Sequence, residues 1–308
     1  MKISVVMATY NGQRFIQKQL DSIMEQTVRP DEIVVNDDRS KDETVDIVRA
    51  YAEKYPDIDW KINVNEVNKG YIGNFLNAIE RSSGDMIVLS DQDDMWDKHK
   101  IELMQSYFEA HPDMLSLHTN YTIIDMEDKP IRENEINYQN SLEKYSVRKF
   151  VKRLNYCGMS SAFRKDIKPY LKKLDPAKLP THDWTIHSLA VLLDGMYVSK
   201  EVVSYRRAHG DNVALNLDKK TERTGVEQRL MIVKDFLSYY MLMKKLSGML
   251  GVTKYDGVIS DLIKTQKMRM CYLKKRSLLL WLSEIGNIGF FPSAKAFLCD
   301  ALYIAGIY

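Results

Sequence analysis

Short apolar runs alternate with amphipathic segments over the first 90 residues, and this alternation constrains the fold more than any other feature of the sequence. Runs of strand length cover 3–8, 32–35, 60–64 and 86–89. Apolar residues recur at helical spacing between them, within 16–23, 43–55 and 71–81. Buried strands that are separated by amphipathic helices predict βαβ units and a mainly parallel sheet, which is an α/β fold.

The loops that follow three of these runs are unusually polar. They read TYNG at 9–12, NDDRSKD at 36–42 and SDQDDMW at 90–96. Parallel sheets bind ligands at the carboxyl ends of their strands, so these loops are expected to meet at one edge. Three carboxylates within 91–94 repel one another unless a cation or hydrogen-bond donors compensate them. The third loop therefore predicts a cation site, with a set of solvated helix-capping aspartates as the alternative.

Five motifs in a fixed order resemble glycosyltransferase family 2. They are VVMATYNG at the start, EIVVNDDRSKDET, VLSDQDDMW, HDW at 182–184 and RRAHGDN at 206–212. The resemblance covers about the first 210 residues and implies the GT-A fold, a Rossmann-like nucleotide-binding sheet flanked by helices. It also implies transfer of a sugar from a nucleotide-sugar donor to a hydroxyl group. The form SDQDDMW is most similar to bacterial rhamnosyltransferases that build cell-wall or capsular polysaccharides.

The resemblance assigns the diphosphate end of the donor to two segments. The last carboxylate of the Asp-x-Asp triplet, here Asp93, holds the metal in the family, and Asp91 contacts the ribose or sugar. Asp94 supports the site or caps the next helix. His209 joins the metal in the Arg-x-His segment, and Arg207 meets phosphate, with the preceding arginine as the alternative. Mg²⁺ or Mn²⁺ is expected because hard cations prefer carboxylate oxygens.

The first two loops are assigned to the nucleotide. In the family an aspartate of the second loop accepts the ring N–H of uracil or thymine, here Asp37 or Asp38, and Tyr10 stacks on the base. An Asx turn before the next helix is the alternative for the aspartate pair. The resemblance adds these donor-binding residues: Thr9, Asn11, Lys69, Gly70, Gln92 and Gly158.

Asp183 in the HDW motif is the expected catalytic base. The family has Glu-Asp or a related pair here, and the aspartate deprotonates the acceptor hydroxyl. Direct displacement at the anomeric carbon with one such base inverts its configuration. His182 departs from the family pattern, and a helix N-cap is the alternative function of Asp183.

The C-terminal part of the chain has a different character. Long helical periodicity begins near residue 221, so the sequence predicts a catalytic domain over 1–220 and a helical region over 221–308. From residue 220 onward 14 Lys/Arg face 7 Asp/Glu, which gives +7 and leaves −5 for the rest of a chain of net charge +2. Six basic residues lie within 264–276. Two interpretations of this region remain open. It could contact an anionic membrane surface near a lipid-linked acceptor, or it could pack against the catalytic domain or a second subunit.

Composition and the chain's first residues narrow the setting. The three cysteines lack the spacing of a disulfide or zinc framework. MKISVVMATYNG does not resemble a secretory signal, and no apolar run approaches the roughly 18 residues of a membrane span. We therefore expect a cytoplasmic protein, with peripheral contact at the inner face of the membrane left open and no nucleic-acid partner.

The alternative functions are a sugar-nucleotide nucleotidyltransferase and a catalytically dead nucleotide-sugar binding protein. The first usually carries a Gly-rich, basic loop after its first strand, which TYNG does not provide. Retention of both Asp93 and Asp183 argues against the second. Donors linked to dTDP or UDP make the same ring contacts, so dTDP-rhamnose and a UDP-sugar both remain candidates, with a growing surface glycan as acceptor.

Overall fold

The apolar runs at the start of the chain form four neighbouring parallel strands in the computed structural model, which describes residues 1–132, 136, 138–210 and 225–307. They are β1 (Ile3–Thr9), β2 (Glu32–Asp37), β3 (Asp59–Val64) and β4 (Met86–Asp91), in the order β3-β2-β1-β4. Val5 and Val6 of β1 point to opposite faces of the sheet and both are fully buried. Burial on both faces explains why this strand is a continuous apolar run rather than an alternating one.

Helices connect these strands as the sequence predicts. They are α1 (Ile16–Met24), α2 (Thr44–Lys54) and α3 (Gly70–Arg81). In α1 the residues Ile16, Leu20 and Ile23 recur at helical spacing and are fully buried. The crossover helices explain the parallel pairing, since parallel neighbours need a long connection of this kind.

The second half of the sheet is mixed rather than mainly parallel. Its elements are β5 (Met95–Trp96), α4 (Lys100–Ala110), β6 (Ser116–Ile124), β7 (Pro130–Arg132), β8 (Glu143–Lys144), β9 (Ser161–Arg164), α6 (Lys168–Leu171), α7 (His182–Leu192) and β10 (Met196–Arg207). The order continues β4-β9-β6-β10-β5, and β9 runs antiparallel to both its neighbours. β10 is parallel to β6, while β5 is antiparallel to β10.

The chain divides into two units. The first comprises Met1–Tyr145, Tyr156–Ala190 and Asp194–Leu217, and it holds the whole sheet. The second comprises Ser146–Asn155, Val191–Leu193 and Asp218–Tyr308. The domain boundary predicted at residue 220 lies outside the described residues.

The second unit is helical. Its helices are α5 (Val147–Phe150), α8 (Gly225–Leu250), α9 (Asp256–Lys275), α10 (Leu278–Leu282) and α11 (Ala294–Ile304). Val233, Tyr272, Leu273 and Ile304 form its apolar cluster. Among the described residues, none of the helices combines the length and apolarity needed to cross a bilayer.

A buried ion cluster lies within this helical unit. The Asp300 carboxylate accepts hydrogen bonds from Arg229 Nε at 2.5 Å, Arg269 Nε at 2.8 Å and the Tyr272 hydroxyl. Arg269 and Asp300 are both fully buried. One of the six basic residues in 264–276 is therefore structural, because its charge is already paired inside the protein.

Candidate active site

Strand register brings the three polar loops together at one edge of the sheet. Thr9 at the end of β1 pairs with Asp37 at the end of β2, and Ala8 pairs with Asp91 at the end of β4. Since the three strands are parallel and adjacent, their following loops leave the sheet side by side. The three polar loops that the sequence places after β1, β2 and β4 thus lie together at the carboxyl ends of these strands, as predicted.

An acidic cluster lies at the end of β4. One carboxylate oxygen from each of Asp91, Asp93 and Asp94 lies within 4.8 Å of the others, with Asp94 buried and the other two partly exposed. Burial, reinforced by the Asp93 carboxylate, raises the pKa of Asp91 to about 7. Burial, together with the carboxylates of Asp93 and Asp91, raises the pKa of Asp94 well above its usual range. Such crowding favours any cation that can compensate the negative charge.

Two basic side chains already compensate part of this charge. Lys100, at the start of α4, is fully buried; its amine donates to the Met159 carbonyl and lies 3.8 Å from the centre of the Trp96 ring. Burial lowers its pKa, and Asp94 and Asp91 oppose that shift. Arg206 also interacts electrostatically with Asp91 and Asp94. Lys100 was not identified from the sequence, since a lysine in the first turn of a helix resembles an ordinary surface residue.

The Arg-x-His segment after β10 reaches the acidic cluster through its histidine. His209 Nε2 lies 2.7 Å from Asp93 Oδ2, and the imidazole stacks on the Phe15 ring at 4.5 Å between centroids. The Arg207 side chain is 1% exposed and pairs with Asp128. Arg206 therefore faces the carboxylates, while Arg207, the phosphate ligand expected from the resemblance, is directed to Asp128. Asn212 of the same motif lies outside the described residues.

The donor set suits a hard divalent cation. Its carboxylate oxygens are the ligand type that Mg²⁺ and Mn²⁺ prefer, and one imidazole nitrogen lies beside them. The Oδ1 atom of Asp94 accepts the Arg207 backbone N–H at 3.0 Å, whereas its buried Oδ2 atom has no hydrogen-bond partner among the described residues. A buried carboxylate oxygen without a donor is costly, and a cation would compensate it.

The second loop is fixed by its own aspartates. Asp37 accepts hydrogen bonds from Thr9 Oγ1 at 2.7 Å and from the backbone N–H and hydroxyl of Ser40 at 2.7 and 2.6 Å. Asp38 accepts from Asn65 Nδ2 and from the Lys69 backbone N–H, both at 2.8 Å. The two residues are 1% and 2% exposed. Both aspartates thus order the loop, and their contact with a base stays a prediction.

A cluster of buried asparagine side chains lies behind Asp38. Asn36 Nδ2 donates to Asn65 Oδ1 at 3.0 Å and to Asn74 Oδ1 at 2.6 Å, and Asn65 Nδ2 also donates to Asn74. The three residues come from β2, the loop after β3, and α3. They fix the position of Asp38 relative to α3, where Gly70 has a φ of +69° that favours glycine. No local sequence pattern indicates this network, because its members are scattered along the chain.

The first loop is held by the third. Gln92 accepts the Tyr10 backbone N–H at 2.9 Å and donates to the Tyr10 carbonyl at 3.0 Å. A Cβ on Gly12 would lie 2.2 Å from Gln92 Oε1, so a larger residue at this position would displace the Gln92 amide from its present place. Asn11 adopts a φ of +47° and donates its N–H to Ser40 Oγ at 2.8 Å. The Tyr10 side chain remains 47% exposed, which leaves its ring accessible for stacking.

Asp183 is the second residue of α7 and lies beside the acidic cluster. Its Oδ2 accepts the Gly158 N–H at 3.1 Å, and its Oδ1 accepts the Trp184 N–H at 2.7 Å. Thr181, just before the helix, accepts the Trp184 N–H at 3.2 Å and so caps it, which means that Asp183 is not the N-cap residue. Asp183 contributes to the raised pKa of Asp91 after burial and Asp93. It is thus close enough to influence the acidic cluster.

His182 is a buried neighbour of this carboxylate. Its ring stacks on Phe75 at 4.1 Å between centroids, and burial lowers its pKa, so it is neutral. A Cβ on Gly158 would lie 3.2 Å from His182 Nε2. The imidazole therefore packs between Phe75 and the Gly158 backbone, and the absence of a side chain lets Gly158 approach both His182 and Asp183.

The sequence is similar to those of known proteins. Residues 4–170, more than half of the chain, match the family described as Glycosyl transferase family 2. An uncharacterized glycosyltransferase from Nostoc sp. is 26% identical over 77% of this chain and 76% of its own length. The dTDP-rhamnosyl transferase RfbG from Shigella flexneri is 41% identical, over 31% of this chain and 34% of its own length. The chain thus matches only about a third of that relative.

Solved structures share the fold. One of them is TarS from Staphylococcus aureus, residues 1–349, in complex with UDP-GlcNAc. Its TM-score is 0.59 at 16% sequence identity, and the match covers 100% of this chain and 91% of the TarS chain. The mannosyltransferase PcManGT from Pyrobaculum calidifontis, in complex with GDP-Man and Mn²⁺, has a TM-score of 0.54 at 14% identity, over 99% of this chain and 85% of its own. The chain belongs to glycosyltransferase family 2 and is a glycosyltransferase with the GT-A fold.

Proposed function

We propose that this enzyme is an inverting, metal-dependent glycosyltransferase that moves a sugar from a nucleoside-diphosphate donor to a hydroxyl of a growing surface polysaccharide. One observation carries the proposal. The Asp91–Asp93–Asp94 cluster, which His209 joins, occupies the sheet edge that also carries Tyr10, Asp37 and Asp38, and Asp183 lies beside it. This arrangement supplies separate side chains for the nucleotide base, for the diphosphate and for the acceptor hydroxyl.

The donor is proposed to be dTDP-rhamnose, with a UDP-sugar as the alternative. Support for rhamnose comes from the form SDQDDMW and from the name of the Shigella relative. Support for UDP comes from the ligand of the TarS structure. Tyr10, with its exposed ring, would stack on the pyrimidine of either nucleotide.

A divalent cation, Mg²⁺ or Mn²⁺, would be held by Asp93 and His209, with Asp91 and Asp94 adjacent. When bound, it would neutralise the negative charge that develops on the departing diphosphate. The Mn²⁺ in the mannosyltransferase structure supports this assignment. Arg206 and Lys100 partly balance the carboxylates beforehand, so the site is not held together by the cation alone.

Asp183 is proposed to take the proton of the acceptor hydroxyl. The Gly158 and Trp184 N–H groups orient its carboxylate. Attack from the side of Asp183, opposite the departing diphosphate, inverts the anomeric carbon. We place the acceptor on this side of the site and propose that it is lipid-linked. The cytoplasmic location belongs to the same proposal, whereas contact of the C-terminal region with a membrane or a second copy is a separate question that sugar transfer does not depend on.

A panel of sugar nucleotides tests the proposal. The full chain is incubated with dTDP-rhamnose, UDP-glucose, UDP-GlcNAc or GDP-mannose plus cell-wall glycan fragments, and nucleoside diphosphate and glycan product are measured. We expect one dTDP- or UDP-linked donor to react, EDTA to abolish turnover, and Mg²⁺ or Mn²⁺ to restore it. Asp93→Asn should lower turnover on the order of 10²-fold, while Asp57→Asn, at an exposed ion pair with Arg29, should leave it unchanged.

Two results would contradict the proposal. Full turnover in metal-free enzyme would remove the cation from the mechanism. Release of pyrophosphate from a nucleoside triphosphate and a sugar phosphate, without glycan product, would identify a nucleotidyltransferase instead.

A further inference from the structure

A one-turn helix in the C-terminal unit exposes an unusual number of large apolar side chains. In α10, Leu278, Leu279 and Leu282 are 47%, 81% and 46% exposed, and Ile285 in the following 3₁₀ turn is 52% exposed. We call these four residues the leucine patch. Single exposed leucines are common on protein surfaces, but four within eight residues form a patch of the kind that marks an interaction site.

The protein holds the leucine patch outward. Trp281, on the same helix, donates its indole N–H to the Phe297 carbonyl at 3.0 Å and stacks on the Phe297 ring at 4.5 Å between centroids. Ser277 caps the helix by accepting the Leu280 N–H. One side of α10 is therefore anchored on α11, and the leucines occupy what remains exposed.

Three exposed basic residues come directly before the patch. Lys274 and Lys275 end α9, and Arg276 follows in a left-handed conformation with a φ of +49° that reverses the chain into α10. Glu284 is the one acidic residue in the sequence between 274 and 295, and it is only 5% exposed. The surroundings of the leucine patch are thus basic without an exposed acidic residue of the same segment.

We propose that the leucine patch inserts into the interface of an anionic lipid bilayer, with Lys274, Lys275 and Arg276 on the lipid phosphates. Apolar side chains gain by leaving water for the acyl boundary, while basic residues beside them are attracted to an anionic surface. Charge complementarity favours a bilayer over a second copy of the chain, because three adjacent cations would repel their symmetry mates. Lysine is also depleted at the centres of protein–protein interfaces.

This proposal does not rest on sugar transfer, and its test needs no donor. The full chain is floated with vesicles of phosphatidylcholine containing 30% phosphatidylglycerol, and with vesicles of phosphatidylcholine alone. We expect binding to the anionic vesicles that weakens as salt is added, since salt screens charges at the surface. A triple variant, L278Q/L279Q/L282Q, should bind on the order of ten-fold or more weakly.

Matched variants distinguish the effects of the basic residues and of the apolar patch on vesicle binding from the effect of any surface substitution. K274Q/K275Q/R276Q should lose the preference for anionic vesicles, while K234Q/K244Q/K245Q, three exposed lysines on α8, should keep it. Met241→Gln, at an exposed apolar residue of α8, should bind as the unaltered chain does. Circular dichroism of each variant verifies folding, and donor turnover, measured separately, distinguishes failure of this proposal from failure of the proposed function.

Three outcomes would overturn the proposal. The first is that the full chain does not float with anionic vesicles. The second is that L278Q/L279Q/L282Q binds them as tightly as the unaltered chain. The third is that light scattering detects a dimer that this variant abolishes, which would assign the leucine patch to a second copy.

Discussion

At the scale of single residues, the proposed sugar transfer depends on one proton-accepting group, the carboxylate of Asp183. Asp183→Asn keeps the size of the side chain and the acceptor oxygen for the Gly158 or Trp184 N–H. It cannot accept a proton from a hydroxyl, so transfer should fall on the order of 10²–10⁴-fold. Affinity for nucleoside diphosphate should barely change, because the proposed nucleotide contacts lie on other loops. Transfer rate and calorimetric affinity of the same variant check this prediction.

Asp175 offers a matched control for this substitution. It caps a 3₁₀ turn by accepting the Ala177 N–H at 3.1 Å, so Asp175→Asn tests the effect of weakening a cap outside the acidic cluster. This control should transfer sugar at the normal rate. A near-normal rate for Asp183→Asn would remove it from the mechanism, and parallel loss of rate and affinity would make its function structural.

The sequence predicted the carboxylates of the site better than their counter-charges. Asp91, Asp93 and His209 stand in motifs, and the structure brings them together. Lys100 stands in no motif, and only packing of α4 against the sheet reveals that its amine is buried near Asp94. Arg206 and Arg207 are adjacent in sequence, so strand alternation decides which faces the site, and that depends on a register the sequence does not supply.

At the scale of elements, apolar periodicity predicted β1 to β4 and α1 to α3, and the α/β fold is confirmed. The same reasoning did not find β5, because two residues are too short to show a period. It also did not predict the antiparallel insertion of β9 between β4 and β6, since strand order arises from long-range pairing.

The opposite edge of the sheet from the site contains a buried carboxylate that ties four segments together. Glu32, at the start of β2, accepts hydrogen bonds from Lys61 of β3, Ser4 of β1 and the backbone and hydroxyl of Ser83. Burial alone would raise the pKa of Glu32, but these hydrogen bonds outweigh it and lower the pKa from 4.5 to about 2. The ionised form therefore stabilises the fold, fully above about pH 4.5, and this contribution is lost as the pH falls toward 2.

Glu32→Gln should therefore destabilise the protein by about 1.5–3 kcal/mol at neutral pH, the range for hydrogen bonds to a charged group. The difference from the unaltered chain should shrink as the pH falls from 4.5 toward 2. Thermal unfolding of both proteins across this range measures it. Glu80→Gln provides the control: Glu80 also pairs with a lysine, Lys172, but is largely exposed, so little change is expected. A Glu32→Gln effect that is independent of pH would contradict the assignment.

At the scale of the whole molecule, the excess of basic residues in the C-terminal sequence corresponds only partly to exposed positive charge on the helical unit. The C-terminal excess of +7 left contact with an anionic membrane open, yet Arg229 and Arg269 are paired with Asp300 inside the helical unit. Composition counts charges without regard to burial, so it overestimated the exposed cations. Helical periodicity, by contrast, predicted helices after residue 221, and α8 and α9 are found there.

The Asp300 cluster makes the helical unit's stability depend on one carboxylate. Asp300→Asn keeps the shape but leaves Arg269, which is fully buried, without a compensating charge. Breaking a buried pair in this way typically costs about 3–5 kcal/mol. Because units can open separately, hydrogen exchange should accelerate in peptides of α8, α9 and α11 while peptides of β1 and β4 stay protected. Asp261→Asn, at an exposed residue of α9, should leave every peptide protected. Uniform acceleration across both units would show instead that the chain unfolds as a single cooperative body.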